Sequence, residues 1–393
     1  MSNLWSRNTP EQFWLCDQTF PEHYWLNAIR KSVALLGLKC TVESPDELLA
    51  LTLGEAQFGA DHWELGFSKR LYYLLKPLLP RSLTRILRRH YGNPLDGKLN
   101  ANWPVDSRYA LFQQEVMRQL LIITGKPSIR YKKFWPEGHQ FGFVLTHDIE
   151  TAAGQAFVRE VADIEEKFGF RSSFNFVLER YALDFELIED LKKRGFEIGC
   201  HGLKHDGKLY NSKTEFAKRV AKINARIKEY GMVGFRSPLT HRNPEWMQIL
   251  DIEYDSSFFD TDPFEPIPGG TMSIWPYFLG RFVELPYTLV QDYTLTAVLG
   301  ETTPRLWLDK VQFLKKYHGM ALLNTHPDYL KEHTTLNIYT EFLHSMKNSG
   351  GYWHVLPRDV ARWWRKRAGI SSNDAMPAID FGIASLDGGE III

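Results

Sequence analysis

Two imidazoles four positions apart, in His201-Gly-Leu-Lys-His205, would share one face of a helical turn and could there bind one Zn2+ or similar ion. Thr146-His147-Asp148-Ile149-Glu150 offers two carboxylates at i and i+2. One can hold an ion while the other takes a proton from water bound to it. The same residues can equally open a helix, with Asp148 as N-cap and Glu150 in the first turn. Leu322-Leu323-Asn324-Thr325-His326 closes an apolar run with a histidine. Such a residue is either a satisfied core histidine or the acid that protonates a departing amine. Gly234-Phe235-Arg236-Ser237-Pro238 closes another run with an arginine, able to hold a catalytic carboxylate or to pair with a surface acid.

These groups must be brought together, and the chain from about residue 140 has the pattern to do it. Short apolar runs occupy 141–147, 172–178, 196–201, 232–236, 282–287, 320–326 and 353–356. Amphipathic stretches near 153–168, 184–194, 213–229, 243–250, 303–317, 336–348 and 358–367 separate or follow them. Strands alternating with 10–15-residue helices predict βαβ units and a parallel sheet. Seven or so repeats suggest a closed (β/α) barrel, with an open doubly wound sheet as the alternative. In a barrel the C-terminal strand ends share one face. His147–Asp148, His201, Arg236 and His326 all stand at such ends.

Residues 1–135 read differently, with helical patterns in 25–38 and 111–125, and form a helical N-terminal extension or small domain. The barrel then spans 136–369. Residues 370–393 are a C-terminal tail in which Asp387-Gly388-Gly389 between two apolar runs allows a hairpin.

Composition narrows the function. The 393 residues carry 47 Lys+Arg and 47 Asp+Glu, so no global field favours nucleic acid. Apolar residues make up 44% and charged residues 24%, an ordinary globular balance that fills a core without staples. Three scattered cysteines, Cys16, Cys40 and Cys200, make no disulfide framework and suit a reducing compartment. With no secretory pattern and no apolar run of membrane-spanning length, the expected place is the cytoplasm. The interleaved basic and apolar residues of 69–92 allow a weak contact with the inner face of an anionic membrane, or simply a core helix with a basic face. Most of the 12 tryptophans are expected in the core.

Taken together and in order, THDIE (146–150), HGLKH (201–205), RSP (236–238), DSSF (255–258) and LNTH (323–326) resemble the motifs of the polysaccharide deacetylase family, the NodB-homology or carbohydrate esterase family 4 kind. The run ELPYTLVQDYTL (284–295) looks like a segment of such proteins as well. The resemblance spans about residues 140–360. It implies a distorted (β/α)7-type barrel with a helical N-terminal extension. It also implies a divalent metal, Zn2+ foremost, held by Glu150, His201 and His205. Asp148 would be the general base, Arg236 its orienting partner, His326 the general acid and Asp255 the acid that tunes His326. Four positions depart from the family pattern: His147 stands where Phe is common, Ile149 where the adjacent-Asp form has its metal-binding Asp, Glu150 replaces the Asp of the D-x-D form, and Gly202 stands where Ser or Thr is usual. The implied activity is removal of an N-acetyl group from an amino sugar in an intracellular glycan or glycan precursor. The alternatives are hydrolysis of a non-peptide C–N bond in a small molecule, or glycan binding by a site that no longer reacts.

Overall fold

The computed structural model describes residues 4–59, 62–64, 102–371 and 376–393. The stretch 69–92, read above as a possible membrane contact, lies outside them.

The distorted (β/α)7-type barrel expected from the sequence is what the chain adopts. Its axis of construction is β2 (Phe141–Ile149), buried along all nine residues. Such an unbroken buried run belongs to a parallel strand covered on both faces. On one side β2 pairs in parallel with β3 (Ser173–Phe176), which is followed in order by β4 (Glu197–Cys200), β5 (Gly234–Phe235), β6 (Tyr254–Asp255) and β8 (Phe282–Glu284). On the other side it pairs with β9 (Met320–Thr325), in a register from Gly142↔Met320 to His147↔Thr325.

The chain leaving β8 then closes the ring. Tyr287 bridges Phe259, and Leu289 bridges Leu323 of β9. The amides of Thr288 and Leu289 donate to the Leu322 carbonyl at 3.2 and 3.1 Å. Seven strands thus circle the axis, distorted where β5 and β6 shrink to two residues each. Two further strands join this sheet at its margins: β7 (Tyr277–Leu279) runs antiparallel to β8, and β10 (Tyr352–His354) pairs with the start of β2.

The connecting helices lie where the periodicity predicts them: Val158–Phe168, Phe185–Lys193, Lys213–Tyr230 and Arg305–Lys316, then His333–Ser349 and Pro357–Arg367. Asp184 and Ser212 cap two of them by accepting the amides of Leu187 and Glu215. The predicted helix at 243–250 shortens to Pro244–Met247.

Before the barrel, the helices Glu22–Ser32 and Arg108–Thr124 pack on each other and into the same continuous apolar cluster as the barrel. Phe13 meets the barrel's Trp275 edge-on, with ring centres 4.9 Å apart. A fully buried ion pair adds a polar tie. Arg242, on the loop after β5, donates to both Glu55 oxygens at 2.9 and 2.8 Å, and the Gly270 amide donates to the same carboxylate at 2.8 Å. Strand β1 (Ser128–Lys132) pairs antiparallel with β11 (Phe381–Asp387), which turns through Gly388-Gly389 into β12 (Glu390–Ile392). Among the described residues no helix is long and apolar enough to cross a membrane.

Candidate metal centre

Successive side chains of a strand point to opposite faces, and at the end of β2 that alternation separates two roles. His147 points into the surrounding layer. Its Nε2 lies 2.7 Å from Glu165 and its Nδ1 2.7 Å from the Thr325 hydroxyl, with the ring stacked on Phe174. It is a packed histidine away from the site. Asp148 points the other way, into the mouth of the barrel, and Glu150 stands just past the strand.

The imidazoles of His201 and His205 arrive from the segment after β4, with ring centres 5.1 Å apart. Their spacing suggests a helical turn, but the segment is an irregular loop in which Gly202 and His205 have φ of +72° and +50°. Gly202 is required there twice over: the left-handed backbone favours it, and a Cβ would come within 2.6 Å of the Pro238 ring.

One ligand atom from each of Glu150, His201 and His205 lies within 4.8 Å of the others. Glu150 Oε1 is 3.0 Å from His205 Nε2. His201 Nδ1 lies 3.0 Å from the Arg236 carbonyl. A carbonyl only accepts, so Nδ1 carries the hydrogen and Nε2 keeps its lone pair. A backbone acceptor behind the ring is the usual orienting partner of a metal-ligating histidine. Two nitrogens and one oxygen are also the donor set that divalent zinc takes when further positions stay open. The residues present therefore fit a divalent ion.

Asp148 is held from several sides. Asn175 and Asn324 donate their amides to its two oxygens at 3.0 and 2.9 Å. Arg236 brings Nε to 3.6 Å while its Nη2 donates to Thr146 and Ser256 at 3.0 and 2.9 Å. Burial pushes the Asp148 carboxyl up, but the surrounding His201, Arg236, His326 and the Asn175 amide outweigh it, so the net shift is downward. The same competition, won by His205, takes Glu150 well below the usual carboxylate range. Burial draws His201 down to about 4 against the pull of Asp148.

His326 caps the end of β9, with Nε2 3.9 Å from Glu150 Oε1. Its Nδ1 and backbone amide both meet Asp292, at 2.7 and 2.8 Å. Burial alone would lower this imidazole, yet Asp292 raises it to about 10. The acid behind His326 is thus Asp292, not Asp255. The reason lies in the strand order: β8 and its continuation stand between β6 and β9, and Asp292 follows that continuation to the side of β9. Asp255 instead accepts from the Ser257 hydroxyl and amide at 2.7 and 3.1 Å. There burial raises its carboxyl, together with that of the neighbouring Glu284.

The site gathers Asp148, Glu150, His201, His205, Arg236 and His326, and leaves Asp255 below it. Sequence reasoning missed Asn175, Asn324 and Asp292. The signal for the two asparagines was available: each is a polar residue inside a wholly buried strand, where a partner is obligatory.

Fold and site define a class, a (β/α)7-type barrel with a His–His–carboxylate cluster at the C-terminal strand ends and the buried Asp148 and His326 beside it. No family model and no curated protein matches the sequence. The structure is similar to those of polysaccharide deacetylases. One from Mycobacterium smegmatis is 19% identical, with 59% of this chain and 93% of that chain covered and a TM-score of 0.49. One from Pseudomonas aeruginosa PAO1 is 15% identical, with 59% and 93% covered and a TM-score of 0.48. An allantoinase is 14% identical, with 59% and 92% covered and a TM-score of 0.47.

Proposed function

We propose that the chain is a metal-dependent hydrolase that removes the N-acetyl group from an amino sugar within a glycan or glycan precursor. The observation that carries the reading is the placement of two groups with opposite proton preferences around one donor cluster: Asp148, drawn down, and His326, drawn up to about 10. Groups pushed apart in this way are an acid and a base ready for the same reaction.

Glu150, His201 and His205 would hold the ion, Zn2+ by donor type, and when bound it supplies Lewis acidity to the attacking water and the acyl oxygen. Asp148 takes the proton from that water as its oxygen bonds to the acyl carbon. Asn175 and Asn324 keep the carboxylate turned toward the water, and Arg236 lies beside it. As the C–N bond breaks, His326 gives its Nε2 proton to the leaving nitrogen, which departs as the free amine while the acyl group leaves as acetate. Asp292 holds the imidazolium in position.

In this reading residues 136–369 carry the chemistry, the described residues before them brace it through Glu55 and the shared core, and β11 and β12 complete the small sheet. The three free cysteines support a cytoplasmic setting.

The test is acetate release from a panel of N-acetylated amino-sugar oligosaccharides, with metal analysis of the same sample. Acetate release that stops on chelation and returns with Zn2+ supports the reading. Full metal occupancy with no acetate release, alongside turnover of a small non-sugar amide, replaces the glycan with that substrate class.

A further inference from the structure

The geometry points to Asp328 as a positioning residue that fixes the backbone of Glu150 and so ties the donor cluster to the strand end bearing His326. It goes beyond the roles assigned above and rests on the reading of Glu150 as a metal donor.

Glu150 is the one donor of the three with a flexible side chain. A glutamate carries more rotamer freedom than an aspartate, so a defined carboxylate position asks more of its backbone. The structure supplies that control at the peptide unit joining Ile149 to Glu150. Its carbonyl accepts the Tyr181 hydroxyl at 2.6 Å. Its N–H donates to Asp328 Oδ2 at 3.2 Å. A peptide plane held at both ends cannot rotate, and the direction of the Glu150 Cα–Cβ bond is set.

The second oxygen of Asp328 accepts the Thr151 hydroxyl. That hydroxyl in turn accepts the Gly154 amide at 3.2 Å, capping the short turn Ala152–Gln155. Gly154 provides an independent observation. A Cβ built there would run into the Asp328 carboxylate, so the turn has room for this side chain only because residue 154 is glycine. Asp328 itself sits two residues past His326, in the turn Pro327–Leu330 that follows β9. One carboxylate therefore joins the loop of a metal donor to the segment of the general acid, without touching substrate or ion. Partners of this supporting kind typically cost 10–100-fold in metal affinity when removed.

The test measures Zn2+ affinity of the full chain by competition with a chromophoric chelator, and the visible absorption of the Co2+-loaded protein. Asp328→Ala should bind Zn2+ about 10–100-fold more weakly and alter the Co2+ spectrum. Gly154→Ala should do the same by displacing the carboxylate, which keeps the inference testable if Asp328→Ala folds poorly. Asp328→Asn should restore affinity to within a few-fold of the wild type, because its carbonyl still accepts the Glu150 N–H and its amide can donate to the Thr151 oxygen. Zn2+ affinity and Co2+ spectrum unchanged in a folded Asp328→Ala protein, where Glu150→Ala does weaken binding, overturn the positioning role and leave the donor set standing. Unchanged affinity in Glu150→Ala overturns both.

Discussion

His201 and His326 stand on the same face of one barrel, both buried, and the difference between them lies behind Nδ1. His201 meets a backbone carbonyl there, and His326 meets the Asp292 carboxylate. The first imidazole is drawn down to about 4, and the second up to about 10. A carbonyl fixes a tautomer and leaves a neutral donor nitrogen, whereas a carboxylate stabilises the imidazolium. The donor half of the site, built on β2 and β4, is thus arranged to lose protons, and the acid half, built on β9 and the segment before it, to keep one.

The comparison breaks most visibly if the donor half is damaged. His201→Ala and His205→Ala should each cost more than the 10–100-fold in metal affinity that follows loss of a supporting partner, and turnover should go with the metal. Full occupancy in both variants by elemental analysis would remove these residues from the donor set. Damage to the acid–base pair should look different. Asp148→Asn and His326→Ala should keep the metal and lose about 10²–10⁴-fold in kcat, the usual worth of one acid–base group. His326→Ala should lose less on an ester with a good leaving group, which needs little protonation. Equal losses on both substrates would point to another acid.

Asp292→Asn sharpens the contrast by altering the atom behind Nδ1. In the proposed reaction His326 acts in its protonated form, so activity should fall as pH rises through its pKa. Loss of the carboxylate should bring that basic limb to lower pH, as read from kcat/KM profiles. The same shift has a stability counterpart in the metal-free protein. A histidine raised from an unfolded value of about 6.5 contributes stability that is fully present below that value and is lost as pH rises toward about 10. Denaturant titrations should show this decline in the wild type, and a flatter one in Asp292→Asn. The smallest effect belongs to the amides. Asn324→Ala or Asn175→Ala removes one hydrogen bond to a charged group, worth about 1.5–3 kcal/mol. Each should slow turnover about tenfold or somewhat more with metal content unchanged.

The donor half was far more legible in the sequence than the acid half. Glu150, His201 and His205 come from two short motifs whose residue types announce coordination. Even there the spacing of His201 and His205 suggested a helical turn, because i,i+4 is equally met by a loop with left-handed Gly202 and His205. The acid half depends on which strands lie side by side. Asp255 and Asp292 are both plausible partners for His326 along the chain, and the choice is made by the position of the β8 continuation beside β9. Asn175 and Asn324 were hidden for the same reason, since what a buried amide bonds to is a tertiary fact. The order of strands and helices was readable because each carries its own period. The two-residue β5 and β6 were not, because so short a strand leaves no alternation to read.

The pairing of β9 with β2 also sets an order of assembly. The donor half rests on neighbours close in sequence, as in the Asp148–Asn175 contact spanning 27 residues. The acid half reaches it only when β9 docks, across contacts such as Thr146–Asn324 that span 178 residues. Closing the longer loop costs more chain entropy and comes later in a folding reaction governed by contact distance. While the ring is open the chain lacks not only the proton donor His326 but also Asn324 and Asp328, the side chains that hold Asp148 and the Glu150 backbone. Docking of β9 would then complete both halves in one step, and a chain trapped before closure would hold its motif residues without a working site.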